Sequence, residues 1–160
     1  VKEKKQIDMV IYYRLYSSKN SKVLKNIALE LCDKFKIYIV GDKINDERIK
    51  NLGKLKRPEL INILSKTKFS ILSSENFSSL FARDCIEKNV SIFYDKNNFV
   101  PSIISDKNQH KLVSLDFSDL NLSIKEITKQ LKDYNENNIY NVLKLNLDDE
   151  IKKDLVRLNF

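Results

Sequence analysis

Short apolar runs of strand length alternate along this chain with segments whose apolar residues recur at helical spacing, and this alternation constrains the fold most. Residues 7–13 (IDMVIYY) suit a buried strand. Ser17, Ser18, Lys19, Asn20 and Ser21 interrupt the run with loop and cap chemistry. Leu24, Ile27, Ala28, Leu31 and Phe35 then share one helix face. Residues 37–40 (IYIV) are β-branched and aromatic, a second strand that ends on the turn signal Gly41-Asp42. Residues 51–53 read as a very short strand or a turn. Pro58 falls where a first helical residue is expected, because its fixed φ and missing N–H cost nothing there; Leu60, Ile61 and Leu64 supply that helix's apolar face. Residues 69–72 (FSIL) predict a strand, Ser78 or Ser79 a cap, and the following residues a helix to about Lys88. Residues 90–94 (VSIFY) and 111–115 (KLVSL) predict two more strands. Leu120, Ile124, Ile127, Leu131 and Tyr134 mark an amphipathic helix.

This order predicts one α/β domain over residues 1–135, with a mostly parallel sheet between two helical layers. Residues 136–160 carry Ile139, Val142, Leu143, Ile151, Leu155 and Leu158, and read as a helical tail packing on the domain or on a missing neighbour. Residues 106–110 are the most loop-like internal stretch. In parallel sheets ligands bind beyond the carboxyl ends of the strands, near the point where strand order reverses. Loops 14–21, 41–45, 73–77 and 95–101 are therefore the places to look for chemistry.

Composition removes several function classes. The formal charge of +7 invites a nucleic-acid or anionic-membrane reading. However, Lys, Asn and Ile are abundant throughout while Gly and Pro number two each, a bias expected of an AT-rich genome. The basic residues are also interleaved with acids, as in Lys2-Glu3-Lys4-Lys5, so a solvated surface is the better account. Cys32 and Cys85 stand far apart and His110 is the single histidine, too few ligands for a zinc site, and reduced cysteines in a cytoplasmic protein are expected. The two glycines, Gly41 and Gly53, cannot make either of the Gly-rich phosphate loops. No apolar run approaches the roughly 20 residues of a membrane span. A chain that starts at Val1 reads as an excised fragment or a processed product.

Two loops hold the candidate chemistry. Arg14 and Lys19 follow the first strand and precede a helix N-terminus, where an anion gains from both charges and from free N–H groups. On spacing alone, a pair of exposed surface cations explains them as well. Glu75 follows another strand, and Asp84 lies in the next helix; carboxylates at two heights can take sugar hydroxyls. The plainer alternative is a helix-start acid favoured by the dipole and an exposed helical Asp.

Five segments in order resemble the C-terminal domain of the retaining group-1 glycosyltransferases, which have the GT-B fold. They are Arg14 with Lys19-Asn20, Val40-Gly41-Asp42, Leu52-Gly53 with Pro58-Glu59-Leu60, Ser73-Ser74-Glu75-Asn76-Phe77-Ser78, and Asp84 through Ile92. The resemblance spans about residues 7–135 and implies a three-layer Rossmann-like domain, the donor-binding half of a two-domain enzyme. It implies that Arg14 and Lys19 hold the donor diphosphate and stabilise the leaving nucleotide as its charge develops. Glu75 would meet hydroxyls of the donor sugar, and Asp84, where the family has Glu, the ribose. Backbone N–H groups from Asn76 through Phe77 and Ser78 to Ser79 would meet phosphates. The base would lie near Gly41, Asp42 and Lys43 and the strand end Leu52, Gly53 and Lys54. Asn20, Asn76 and Asn89 stand at family glycines, and Asn tolerates left-handed backbone better than most residues. The spacing from Glu75 to Asp84 is one residue longer than the family's.

The resemblance further implies a UDP-, GDP- or ADP-sugar donor, no metal and no cofactor. The partner would be an N-terminal acceptor-binding domain, without which the fragment binds but does not turn over. It also implies a cytoplasmic location, with peripheral contact at the inner face of the membrane open, and no specific nucleic acid. The competing expectation is a non-catalytic α/β interaction module whose basic surface meets an anionic partner.

Overall fold

The computed structural model describes residues 4–16, 20–73, 79–98, 100 and 112–134. Among them the chain runs β1 (Ile7–Tyr13), α1 (Ser21–Leu31), β2 (Ile37–Gly41), β3 (Lys50–Gly53), α2 (Arg57–Ser65), β4 (Thr67–Ile71), α3 (Leu80–Glu87), β5 (Ser91–Asp95), β6 (Leu112–Leu115) and α4 (Leu120–Lys132). The strands form one sheet in the order β3-β2-β1-β4-β5-β6. Every pairing in it is parallel, so the expected mostly parallel sheet is wholly parallel among the described residues. The chain winds outward from β1 to β3, then returns to the other side of β1 and winds outward to β6. The reversal falls between β1 and β4, where a crevice opens at the carboxyl ends of the strands.

The seam between β1 and β4 is tightly specified. Val10 pairs with Ser70, and the Ser70 hydroxyl, fully buried, donates to the Val10 carbonyl at 2.7 Å. A buried hydroxyl without such a partner costs about 1–3 kcal/mol, so this bond lets a polar side chain sit inside the sheet.

Alternation along β1 divides the core. Met9, Ile11 and Tyr13 pack with Leu24, Ile27, Ala28 and Leu31 of α1 and with Ile127 and Leu131 of α4. Val10 faces the opposite layer, with Leu60 and Leu64 of α2 and Ala82 and Cys85 of α3. Full burial of a side chain such as Leu24 stabilises the fold by about 1.5–3 kcal/mol relative to exposure.

Local chemistry sets the helix ends. Ser79 caps α3, its hydroxyl oxygen accepting the Ala82 N–H at 3.2 Å. Glu59 reaches back to the Lys56 N–H at 2.8 Å at the start of α2. That helix begins at Arg57, one residue earlier than expected, so Pro58 is its second residue. Asp119 caps α4 through the Leu122 N–H, while Lys129 and Lys132 in the last turn complement the helix dipole.

Strand boundaries differ from expectation by one or two residues. β4 starts at Thr67 because the Lys66 carbonyl already bonds the Gln6 and Ile7 N–H groups of the neighbouring chain segment. β5 starts at Ser91, because Asn89 turns in left-handed backbone, φ 59°, and the Val90 N–H bonds the Cys85 carbonyl. Asn20 also takes a positive φ, 52°, as its place at a family glycine suggested; Asn76 lies outside the described residues. The expected loop 106–110 and tail 136–160 lie outside them too.

Candidate functional site

The site is assembled from the carboxyl end of β1 outward. Tyr12 leaves the last turns of β1 on the α2–α3 side of the sheet, and Arg14 follows the strand. The Arg14 guanidinium donates from Nη2 to the Tyr12 hydroxyl at 2.9 Å and lies 5.1 Å from the centre of the Tyr12 ring. Tyr12 meets Phe81 of α3 with ring centroids 5.3 Å apart, giving the crevice an aromatic wall.

Two cavities share Tyr12, Arg14 and Leu55 and so form one cleft. The first, about 380 Å³, is bounded by Tyr16, Gly41, Asp42 and Lys54. The second, about 330 Å³, is bounded by Arg57, Leu80, Phe81 and Asp84. The cleft therefore runs from the end of β2, across the end of β1, to the flank of α3.

At the β2 end, Gly41 has φ 103°, and a Cβ built there would overlap the Tyr13 carbonyl oxygen. Only glycine fits this approach of two strand ends. Asp42 then ties β2 to the loop that carries Arg14. Its N–H donates to the Tyr13 carbonyl at 2.9 Å, and its Oδ2 accepts the Leu15 N–H at 2.9 Å. Burial, and secondarily the Asp42 charge, push the Tyr13 hydroxyl above its ordinary pKa of 10.0.

At the α3 end, Asp84 is buried, its side chain only 3% exposed. Arg57 at the start of α2 grips it with two N–H groups, Nη2 to Oδ1 at 2.8 Å and Nε to Oδ2 at 3.3 Å. The carboxylate raises the Arg57 pKa through that hydrogen bond and its charge. The plainer alternative of an exposed helical Asp fails here: α3 turns Asp84 inward beside Ala82 and Cys85, toward α2.

The structure thus brings Arg14, Gly41, Asp42 and Asp84 around one cleft, with the Ser79 cap on α3. Leu52 and Gly53 line a different, more open depression with Lys43, Asp46 and Asn51 along the β3 edge, while Lys54 of the same strand end reaches the cleft with Leu55. Lys19, Glu75, Asn76, Phe77 and Ser78 lie outside the described residues. The loops that contain them meet at their described edges, where the Asn20 amide donates to the Ser73 carbonyl at 3.3 Å.

Sequence reading missed Tyr12, Arg57 and Phe81. For Arg57 one signal existed: a cation in the first turn of a helix opposes the macrodipole and calls for an anionic partner. Among the described residues no cluster of His, Cys, Asp or Glu could hold a metal ion, and no helix is long and apolar enough to cross a membrane.

No protein-family profile matches the chain, and no curated protein matches it. Solved structures do. The C-terminal domain of a glycosyl transferase group 1 family protein (LpcC) from Francisella tularensis superposes with a TM-score of 0.63 at 14% identity, covering 91% of this chain and 84% of that one. Sucrose-phosphate synthase from Thermosynechococcus elongatus gives 0.64 at 12% identity over 96% of this chain and 47% of the synthase. The pneumococcal O-GlcNAc transferase GtfA, solved with UDP and GlcNAc, gives 0.61 at 15% identity over 97% of this chain and 35% of that one. The chain therefore has the fold of a GT-B C-terminal domain and spans about half of the synthase and about a third of GtfA.

Proposed function

We propose that this chain is the donor-binding domain of a glycosyltransferase and that the cleft between β2 and α3 receives a nucleotide-diphospho-sugar. The observation that carries this reading is the convergence of Arg14, Gly41, Asp42 and Asp84 at the switch point of a GT-B C-terminal fold. Arg14 provides a fork of N–H donors for the diphosphate, and the Tyr12 hydroxyl and ring fix where that fork points. Asp42 holds the Arg14 loop from below through Leu15, so the cation is placed before a ligand arrives. Lys54 adds a further charge to the cleft lining. A donor that loses its sugar leaves a nucleoside diphosphate, and prearranged cations stabilise that developing charge.

Lys19 and Glu75 take the roles implied by the resemblance, diphosphate contact and sugar-hydroxyl contact. Transfer, with retention of configuration at the sugar, requires an N-terminal acceptor-binding domain, so this chain alone binds donor without turnover. GtfA, whose structure contains UDP and GlcNAc, makes UDP the first nucleotide to try.

Titration calorimetry with UDP, GDP, ADP and the matching sugar nucleotides tests the proposal. At least one nucleoside diphosphate should bind below millimolar, and Arg14→Ala should weaken it about tenfold or more, the worth of a charge-assisted contact. Absence of binding up to millimolar, with Arg14→Ala indistinguishable from the parent, rejects it.

A further inference from the structure

The second acid of the cleft is not available to a ligand as it stands. Both Asp84 oxygens accept hydrogen bonds from Arg57, and the Asp84 side chain is 3% exposed while that of Arg57 is 53% exposed. The pair thus turns a carboxylate site into a guanidinium site. Arg57 uses Nε and one edge of Nη2 on Asp84. A guanidinium carries five N–H donors, so its outer edge keeps donors of its own. Arg57 lines the cavity that also contains Arg14 and the paired Tyr12 and Phe81 rings.

We propose that Arg57, aimed by Asp84, contacts the ribose–phosphate oxygens of the nucleotide, and that Asp84 is its positioning residue rather than a ribose ligand. This rests on the donor-site reading above. Three features favour it over a gate that swings away to bare Asp84. The ion pair is gripped at two points, which fixes the guanidinium plane. Baring Asp84 would leave a buried carboxylate unpaired until the ligand replaced both bonds. The guanidinium stands at the N-terminus of α2, where the helix dipole disfavours a lone cation and favours its keeping the Asp84 carboxylate.

The test is calorimetry of the chain and its variants with UDP, GDP and ADP, with folding checked by circular dichroism. Arg57→Gln should weaken the tightest of the three about tenfold or more. Asp84→Asn should weaken it less, and should add nothing in the Arg57→Gln background. If Arg57→Gln alone does not fold, the uncharged pair Arg57→Gln/Asp84→Asn carries the same test. The 2′,3′-dideoxy nucleotides locate the contact: a penalty that persists with them assigns it to phosphate, and one that vanishes assigns it to a ribose hydroxyl. The proposal is overturned if Arg57→Gln binds as tightly as the parent, or if Asp84→Asn costs tenfold when Arg57 is already gone. Both results leave the donor-site reading standing. A parent that binds none of the three nucleotides overturns both readings.

Discussion

The Asn20 side chain donates to the Ser73 carbonyl at 3.3 Å while its own backbone turns through φ 52°. One residue thereby ends the loop after β1, starts α1, and touches the loop after β4. Two demands are met at this position, a left-handed backbone and a donor that spans 53 residues of sequence.

The two demands separate by substitution. Asn20→Gly keeps the backbone and loses a long hydrogen bond, so stability should stay within about 0.5 kcal/mol of the parent. Asn20→Ala loses both and should cost about 1–2 kcal/mol, since a left-handed L-residue without a local polar group is strained. Urea unfolding midpoints measure the difference. Equal losses in the two variants would show that backbone conformation is not what Asn20 supplies.

Gly41 offers a harsher test. A Cβ there meets the Tyr13 backbone carbonyl, which cannot swing aside as a side chain can, and φ is 103°. Gly41→Ala should destabilise the domain by about 2–4 kcal/mol. It should also shift the Tyr13–Gly41 pairing that positions Arg14. Chemical denaturation gives the first effect and loss of nucleoside diphosphate affinity the second. A loss below about 1 kcal/mol would mean that the strand ends separate more readily than their geometry suggests.

Most of the fold was legible because the central strands are buried on both faces and the helices on one, and both conditions write patterns into the sequence. β1 and α1 are the clearest cases: a mostly apolar run, then Leu24, Ile27, Ala28 and Leu31. The positive φ at Asn20 and Asn89 was legible through comparison with glycines at those places. The partner of Asp84 was not. Arg57 is 27 residues away and reaches it only because α2 and α3 pack side by side. In a chain with 29 Lys and Arg residues, one cation carries no mark of its own. Leu52 and Gly53 line a separate depression for a related reason, since the pattern places residues at a strand end but does not say which side of it they face.

The two thiols should differ sharply in reactivity. Cys85 is fully buried beneath α3, and burial raises its pKa well above the ordinary 9.0. Cys32 is half-buried, raised chiefly by burial and partly offset by the Arg48 charge. Only the thiolate attacks a disulfide reagent, so Cys32 should react slowly in the native protein and Cys85 only on unfolding. Cys32→Ser should therefore remove the native-state signal in an aromatic-disulfide assay. A native-state signal that survives Cys32→Ser would place Cys85 within reach of solvent.

Stability should fall on the acid side through two aspartates. Asp46 accepts Arg48 Nε and the Arg48 N–H at Oδ1, each at 2.9 Å, and Nη2 at Oδ2 at 2.7 Å; these bonds hold its pKa at about 2. Asp116 is held at about 2 by the Ser118 hydroxyl, by Lys96 at 2.9 Å, and by the Ser118 N–H. Both values lie below the ordinary 3.8, so the folded state favours the ionised form more than the unfolded state does. Their contribution is complete above about pH 5 and is lost as pH falls from about 4 through 2, because there the unfolded chain binds the protons first. The urea midpoint should thus be level from pH 7 to 5 as far as these groups set it, and drop below about 4. Asp46→Asn and Asp116→Asn should each lower stability at neutral pH and flatten the acid limb. Carboxyl carbon shifts followed by NMR give the site values directly, and titration of either side chain near 3.8 would remove it from this account.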